Sequence, residues 1–305
     1  MVGLGLIGGS VLRGLAGAAE VVGFDADPAV RAAVAAEGFA VVDELGSLAD
    51  RELVVVAVPP ARTAEVVVKV LDAAPDAVVA DTASVKEAVL AAVPDANRFV
   101  GAHPLAGAET TGWAASSADL VAGAVWAVCP AGESVEPLCR LAAAIDVLGG
   151  RLVACTAPEH DEAVARTSHV PHMAAQALAG LASGGGLRAA LSGTAYRDMT
   201  RVARADAALW AEILSLNRDR SLVALDELSE RLAGLRAAVV AGDVIEAWGA
   251  GADVLAAVDA ARWVEPEWRE AIVGGWAELL RLGRAGRAVR RLRPDGAGLR
   301  AEVAR

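Results

Sequence analysis

The sequence is poor in cysteine, lysine and aromatic residues, and each shortage limits the kinds of site or core that the chain can form. Its three cysteines, Cys129, Cys139 and Cys155, show no C-x-x-C spacing and leave an odd one over. This argues against a disulfide framework or a zinc site and fits a reducing, cytoplasmic compartment. Lysine occurs only at Lys69 and Lys86, so nearly all positive charge is arginine. With 4% aromatic residues among 55% hydrophobic ones, the core must consist largely of Ala, Val and Leu.

The chain also lacks the charge and the apolar runs that two large classes of protein need. A formal net charge of -11 argues against a binder of nucleic-acid phosphates, although a single Arg can still bind a small anion. No charged segment followed by an apolar one opens the chain, so we expect no signal peptide. Its apolar stretches end well before the roughly 20 residues that a bilayer span needs. We therefore expect neither nucleic acid nor membrane among its partners.

The first 155 residues alternate short Val-rich runs with Ala-rich amphipathic stretches. This alternation predicts an α/β fold, a doubly wound parallel sheet with helices on both faces. The predicted strands are 21–24, 53–58, 77–80, 99–102 and 124–128. The predicted helices are 10–15, 29–37, 61–73 and 87–93.

Strand signals disappear after this point, and long stretches of Ala, Leu, Glu and Arg follow. Thr156 and Glu159 have capping-box spacing, with Pro158 in the first turn, which predicts a helix start. We predict an all-α domain over 156–282, with a loop at 181–187 around three consecutive glycines.

Eight arginines occupy the last 25 residues, at 281, 284, 287, 290, 291, 293, 300 and 305. Such a segment can bind nucleic acid or membrane, but a solvated helix with a frayed end is the favoured interpretation. The predicted organisation is therefore a Rossmann-type domain over 1–155, a helical domain over 156–282 and a basic tail over 283–305.

A glycine-rich loop opens the chain: Gly3, Gly5 and Gly8, with Leu6 and Ile7 between the last two, fit G-x-G-x-x-G. The first glycine allows a tight turn and the second lets the backbone approach a pyrophosphate. The third lets the helix pack on the strand, and the helix N-terminus attracts the phosphate charge. We predict all five residues to bind a dinucleotide.

Asp25 closes the next predicted strand, roughly 20 residues past the glycines, where an acid holds the adenosine ribose hydroxyls. Its charge would repel a 2′-phosphate, so the sequence favours NAD over NADP; a plain surface acid is the alternative. Because only Met1 and Val2 precede Gly3, the first strand is shorter than expected, and we expect the natural start to lie upstream.

Val58 and Pro59 follow another predicted strand at its carboxyl end, where ligands bind in such sheets. We predict that both contact the cofactor. Proline after a strand can equally be a plain terminator, because it cannot continue a hydrogen-bonded ladder.

His103 and Ser84 follow two neighbouring predicted strands and should meet at one edge of the sheet. An imidazole is suited to accept a proton from a substrate hydroxyl near neutral pH. Ser84 can hydrogen-bond the same hydroxyl or the nicotinamide amide, or it can cap the helix that follows. We predict the pair as catalytic residues.

His169 and His172 lie three residues apart and would share one face of a helix. Ser168 and Pro171 have the chemistry of an ordinary helix start, as cap and first-turn residue. We expect no metal site, because no cysteine or second carboxylate is spaced to complete one.

Six motifs follow one another in an order that resembles the prephenate/arogenate dehydrogenase family. They are GLGLIGGS at 3–10, VAVPP at 56–60, DTASVK at 81–86, GAHPLAG at 101–107, SHVPH at 168–172 and YRDMTRVA at 196–203. The resemblance implies NAD-dependent oxidative decarboxylation of prephenate to 4-hydroxyphenylpyruvate, in tyrosine biosynthesis. It also implies a homodimer joined through the helical domain.

The resemblance further implies roles for single residues. His103 would act as the base on the ring hydroxyl of the cyclohexadienyl substrate, supported by Ser84. Arg201 would bind the ring carboxylate, for which a planar guanidinium is well shaped. The other implied substrate-binding residues are Glu109, His169 and His172.

Several alternatives stay open at this point. The substrate could be arogenate or 4-amino-4-deoxyprephenate. A hydroxyacid dehydrogenase of similar layout would need a lysine in its helical domain, and none follows Lys86. A non-enzymatic NAD-binding regulator would account for the basic tail and the short first strand. We expect no tyrosine-sensing domain after the helical one, although the family often carries it.

Overall fold

A computed structural model gives the structure of the protein and describes residues 1–94, 97–249, 251–262, 264–296 and 298–305. The chain forms two compact units. Unit 1 comprises Met1–Asp161, Ala205–Leu216 and Trp268–Arg305, and unit 2 comprises Glu162–Arg204 and Asn217–Glu267. Within the described ranges, no helix is both long and apolar enough to cross a membrane.

The strands all belong to unit 1. They are β1 (Val22–Gly23), β2 (Ala40–Val41), β3 (Leu53–Val56), β4 (Val78–Asp81), β5 (Phe99–Pro104), β6 (Val125–Pro130), β7 (Arg151–Ala154), β8 (Trp268–Val273), β9 (Val289–Asp295) and β10 (Gly298–Ala304).

The helices occur in both units. They are α1 (Leu6–Leu15), α2 (Pro28–Ala36), α3 (Pro60–Ala73), α4 (Glu87–Ala92), α5 (Ala118–Val121), α6 (Glu136–Val147), α7 (Ala157–Val164), α8 (Val170–Leu181), α9 (Gly186–Ala190), α10 (Thr194–Met199), α11 (Ala207–Leu216), α12 (Arg218–Ala241), α13 (Ile245–Gly249), α14 (Ala252–Arg262) and α15 (Trp276–Arg284).

The main sheet runs in the order β3-β4-β5-β6-β7-β9-β10-β8, and β1 pairs with β2 separately. Strands β3, β4 and β5 are mutually parallel, whereas β6 is antiparallel to β5. Val2 bridges in parallel to Phe24 on one side and to Val56 on the other, which joins the two sheets. The doubly wound nucleotide-binding fold is confirmed, but its sheet is mixed where a parallel one was predicted.

Side chains of β3 and β4 enter two separate apolar cores, as expected for a sheet covered on both faces. Val54, Val56 and Val79 pack in the core that includes residues of α3. Val55 and Ala80, which alternate with them, pack in the core that includes residues of α1, α6 and α15. Valine on both faces therefore follows from burial on both sides.

The capping box at the start of α7 confirms the predicted helix start. The Thr156 N–H and hydroxyl donate to Glu159 Oε2 over 2.9 and 2.8 Å, and the Glu159 N–H donates back to the Thr156 hydroxyl over 3.4 Å. Hydrogen bonds from the Thr156 N–H, from the Arg284 side chain and from the Thr156 hydroxyl, in this order of size, lower the pKa of Glu159 to about 2.

A helix start at Ser168 is wrong. Residues Ala165–His169 form a π-helical turn between α7 and α8, so the helical backbone runs on without a cap. The Ser168 carbonyl accepts a hydrogen bond from the side-chain Nδ1–H of His172 over 2.9 Å. Single π-helical turns of this kind occur frequently at functional sites.

The predicted basic tail, 283–305, is wrong. A helical domain after the nucleotide-binding domain is confirmed, but its predicted end at 282 is wrong, because β8 lies within that range. β8, α15, β9 and β10 form a strand–helix–strand–strand segment whose strands extend the main sheet. Leu279 is fully buried, and Leu292, Leu299 and Val303 are at most 7% exposed. Arginines between these residues hid the alternating pattern: Arg290 and Arg291 point outward and pair with Glu302 over 2.7 Å each.

Two neighbouring substitutions on β9 test whether this segment belongs to the fold. Leu292→Ala removes a side chain that is 3% exposed and should lower the free energy of unfolding by about 2–5 kcal/mol. The exposed Arg293→Ala should change it by no more than about 0.5 kcal/mol. Urea denaturation measures both. A detached tail would make the two variants equally harmless.

Candidate active site

The carboxyl ends of the parallel strands bring the predicted site residues of unit 1 to one edge of the sheet. Val56 at the end of β3 pairs with Asp81 at the end of β4, and Ala80 pairs with Val100 on β5. This register brings His103, three residues past Val100, level with the segment that follows β4. In doubly wound folds this edge is where ligands bind.

The glycine loop lies at the same edge, after Val2. Gly3 has φ +86°, and a Cβ there would come within 2.4 Å of the Ala57 carbonyl oxygen. A Cβ on Gly8 would come within 1.9 Å of the Gly3 carbonyl oxygen. Both positions therefore require glycine for turn and close packing. At Gly5, by contrast, nothing lies within 4 Å of an added Cβ.

Open space at Gly5 is what the close approach of a phosphate needs. Gly5 is also the N-cap of α1, and it provides no side chain to hydrogen-bond the first N–H groups of the helix. Leu6 and Ile7, both half-buried, form the first turn. The loop therefore fits a dinucleotide pyrophosphate, bound by N–H groups and by the helix dipole.

Asp25 connects the end of the β1 segment to this loop. Its Oδ2 accepts the Leu4 N–H over 2.8 Å, and its Oδ1 accepts the Asp27 N–H over 2.9 Å. The carboxylate is only partly buried, so it retains acceptor capacity for ligand hydroxyls. These contacts also fix the side chain against the glycine loop.

Val58 and Pro59 lie between the end of β3 and the start of α3. Val58 is half-buried, and its Cγ1 would be 3.0 Å from a Cβ on Gly3. Pro59 is exposed and is the N-cap residue of α3. The two residues therefore lie at the same edge as the glycine loop, and their contact with the cofactor stays a prediction.

His103 lies within β5 itself and is half-buried, where the sequence placed it just beyond the strand. Ser84 is half-buried in the segment between β4 and α4. The alternative that Ser84 caps a helix is wrong, because α4 begins at Glu87 with Lys86 as its N-cap residue. Among the described residues, the Ser84 hydroxyl has no hydrogen-bond partner, so it remains available to a ligand.

A series of hydrogen-bonded side chains, which was not predicted from the sequence, lies behind His103. His103 Nδ1 is 2.9 Å from His160 Nε2, and His160 Nδ1 is 2.7 Å from Asp161 Oδ1. The Asp161 carboxylate also accepts the N–H groups of Lys86 over 2.8 Å and Glu87 over 2.9 Å. It thus binds the start of α4 from a distant part of the sequence.

His160 and Asp161 are 3% and 1% exposed, respectively. Burial lowers the pKa of His160, which favours the neutral imidazole. Burial alone would raise the pKa of Asp161, but the hydrogen bonds from His160, Glu87 and Lys86 outweigh it and lower that pKa. The pair therefore consists of a neutral ring against an ionised carboxylate.

A fully buried ion pair holds the same edge together. Lys86 Nζ forms a short hydrogen bond to Asp81 Oδ2, and neither side chain is exposed. Asp81 also accepts the N–H groups of Ala83 and Ala102, each over 3.0 Å. One carboxylate thereby ties the end of β4, the Ser84 segment and the residue before His103 together.

The remaining predicted residues are distributed over both units. Glu109 lies in unit 1, exposed on the loop after β5, while His169, His172 and Arg201 lie in unit 2. His169 is 1% exposed, and its Nδ1 lies 3.2 Å from the Ser221 hydroxyl.

His172 and Arg201 interact within unit 2. Burial lowers the pKa of His172, and the charge of Arg201 lowers it further, against the raising effect of the Ser168 carbonyl. His172 is thereby favoured as a neutral ring near a cation. Arg201 itself is exposed, at the start of the 3₁₀ turn Arg201–Arg204.

No metal centre is present in the described ranges: no three His, Cys, Asp or Glu side chains there are placed to hold an ion. The described residues therefore offer a dinucleotide loop, an imidazole and a hydroxyl at one edge of a sheet.

Comparisons with known proteins agree with this arrangement. Residues 9–154 match the family model of the prephenate dehydrogenase nucleotide-binding domain, and residues 156–247 match that of the prephenate dehydrogenase dimerization domain. A cyclohexadienyl dehydrogenase from Zymomonas mobilis is 31% identical over 260 residues, which cover 80% of this chain and 88% of that protein. A prephenate dehydrogenase from Bacillus subtilis is 27% identical over 259 residues, 74% of this chain and 66% of that one.

Solved structures give the same answer. A Corynebacterium glutamicum protein described as a prephenate dehydrogenase superposes with a TM-score of 0.80 at 32% identity, covering 86% of this chain and 88% of that chain. An arogenate dehydrogenase from Synechocystis superposes with a TM-score of 0.70 at 25% identity, covering 86% and 98%. The six ordered motifs, the fold and these matches agree: the chain belongs to the prephenate dehydrogenase family of oxidoreductases.

Proposed function

We propose that this chain catalyses the NAD-dependent oxidative decarboxylation of prephenate to 4-hydroxyphenylpyruvate, a step of tyrosine biosynthesis. The observation that carries the proposal is the placement of His103, Ser84 and the glycine loop at one edge of a parallel sheet segment, in a member of this family. The imidazole and the glycine loop thus lie at the same edge of the sheet, which supports the proposal.

The proposed cofactor is NAD+, which supplies the hydride acceptor when bound. Gly3, Gly5 and Gly8 would accommodate its pyrophosphate at the N-terminus of α1, and Asp25 would accept hydrogen bonds from the adenosine ribose hydroxyls. A 2′-phosphate would instead meet the Asp25 carboxylate, so NADP+ should bind more weakly.

His103 would accept the proton of the ring hydroxyl while the C4–H bonding pair leaves as hydride. The bond between C1 and its carboxylate then breaks, carbon dioxide departs, and its electron pair completes the aromatic ring. The phenolic oxygen recovers a proton from His103, so protons and electrons balance. Since aromatisation makes the reaction strongly downhill, the chain's own residues need mainly orient the substrate and hold this proton.

Two further roles belong to the proposal. Ser84, whose hydroxyl has no partner in the described part of the chain, would hydrogen-bond the substrate hydroxyl. Arg201 would bind a substrate carboxylate, with neutral His172 beside it as a hydrogen-bonding group. His169 and Glu109 keep the substrate-binding roles that the resemblance implies.

We also propose a homodimer formed through unit 2. Large apolar side chains are unusually exposed on its helices; among them are Leu181, Leu187, Leu191, Leu232, Val239, Val240, Ile245, Trp248, Val254 and Leu255. Exposed apolar patches of this kind mark interaction surfaces. The match to a dimerization-domain family model over 156–247 supports the same conclusion.

The function is tested by following NADH formation from NAD+ with prephenate and with arogenate side by side, and then with NADP+. We expect turnover of prephenate with NAD+, and the same preparation should sediment as a dimer. Faster turnover of arogenate would transfer the assignment to that substrate. NAD+ binding without turnover of either would instead identify a regulatory protein.

His103→Asn should lower kcat at least about 100-fold, because it removes the proton acceptor while an amide of similar size keeps the space filled. The dissociation constant of NAD+, measured by fluorescence titration, should change little. An unaltered kcat would exclude His103 as the base.

Arg201→Ala should raise KM about 10- to 100-fold, with a much smaller effect on kcat, because a charge-assisted bond to a carboxylate is worth about 1.5–3 kcal/mol. Arg204→Ala is the matched control, since Arg204 is exposed in the same turn. Equal KM values for the two variants would remove Arg201 from the substrate site.

A further inference from the structure

With a neutral His160, the hydrogen bonds behind His103 have only one consistent direction. The Asp161 carboxylate accepts two backbone N–H groups and lies 2.7 Å from His160 Nδ1. An ionised carboxylate has no hydrogen to donate, so the hydrogen between Asp161 and His160 belongs to His160 Nδ1.

This assignment also decides which residue donates the hydrogen bond between His160 and His103. A neutral imidazole carries one ring hydrogen, and that of His160 is already on Nδ1, so its Nε2 can only accept. His103 Nδ1, 2.9 Å away, must therefore be the donor. A neutral His103 with its hydrogen on Nδ1 carries its lone pair on Nε2, at the opposite side of the ring.

We infer that His160 and Asp161 are positioning residues, which hold His103 in the Nδ1–H tautomer and thereby keep its Nε2 as the proton acceptor. The inference rests on the proposed function, because it takes His103 to be the catalytic base. It adds two residues, and a direction of proton transfer, that neither the motifs nor the family assignment supplies.

The same contacts stabilise His103 after it has taken the substrate proton. The ring then becomes an imidazolium, and its bond from Nδ1–H to His160 Nε2 becomes charge-assisted and stronger. No proton has to move to Asp161; the carboxylate orients His160 and is in turn held by the N–H groups at the start of α4. The charges of Lys86 and Asp81 also act on the pKa of His160: that of Lys86 lowers it and that of Asp81 raises it by a smaller amount.

If His160 and Asp161 had a purely structural role, their substitution would have a different effect. Buried polar networks often only satisfy one another, and their loss then lowers stability without a specific effect on chemistry. The tautomer of His103 separates the two cases, because it responds to the direction of the hydrogen bonds and not to stability.

The test is ¹⁵N NMR of the histidine rings in the full-length protein with NAD+, with signals assigned by single substitution of its four histidines. We expect His103 to be protonated on Nδ1 and unprotonated on Nε2. In Asp161→Asn, an amide NH2 in the place of Oδ1 donates to His160 Nδ1 and reverses the direction of these hydrogen bonds, so His103 should then carry its hydrogen on Nε2. A wild-type His103 protonated on Nε2 would overturn the inference.

Kinetics provide a second readout. Reversal of the tautomer should lower kcat of Asp161→Asn about 10²- to 10⁴-fold, with little change in KM, as in other enzymes whose base is held by a buried carboxylate. Asp146→Asn is the matched control: Asp146 likewise accepts a backbone N–H, that of Arg291 over 2.7 Å, but lies on α6. It should leave both the tautomer and kcat unchanged.

A pair of variants at His160 covers the case in which Asp161→Asn does not fold. His160→Gln keeps a carbonyl that can accept from His103 Nδ1, whereas His160→Leu removes the acceptor. We expect kcat to be at least about tenfold higher for the first. Equal kcat values with equal stability would refute the positioning role. If neither prephenate nor arogenate is turned over, the proposed function fails, yet the tautomer still decides this inference.

Discussion

The buried ion pair between Asp81 and Lys86 is the interaction on which the rest of this site depends. Neither side chain is exposed, and Asp81 also receives the N–H groups of Ala83 and Ala102. Leaving one partner of such a pair alone in the interior costs about 3–5 kcal/mol, so the pair strongly disfavours any rearrangement of this edge. Its consequence is geometric: the Ser84 segment and the strand that carries His103 are held to one carboxylate.

From Lys86 the same network continues into a distant part of the chain. The Lys86 and Glu87 N–H groups donate to Asp161, which in turn holds His160 against His103. The start of α4 thus needs no local cap, because Asp161 provides it from 75 residues away. The same hydrogen bonds of Asp161 cap α4, satisfy the buried carboxylate and orient the imidazole of His160. A change in any one of these therefore affects the others.

The carboxyl-terminal segment shows how composition can conceal a strand. Eight arginines indicated a solvated tail, but β9 and β10 bury their valine and leucine side chains. Arg290 and Arg291 pair with Glu302, and Arg300 pairs with Asp295. Asp295-Gly296, where β9 ends, was a readable hairpin signal. The finding also removes one of the two supports for a regulatory protein, since no free basic tail remains.

Sequence alone determined the features that depend on local chemistry. Glycine at positions 3 and 8, the Thr156–Glu159 capping box, the alternation of valine runs with helices, and the order of six motifs were all readable from neighbouring residues. These identified the fold class, the family, and His103 with Ser84 as candidates. Only the tertiary structure decided what surrounds His103, because His160 lies 57 residues away. The hydrophobic periodicity of a sequence does not show which edge of the sheet will contact the start of a helix that is distant in sequence. The contacts and the orientation of His103 are therefore properties of the folded chain, set by hydrogen bonds that exist only once these segments pack together.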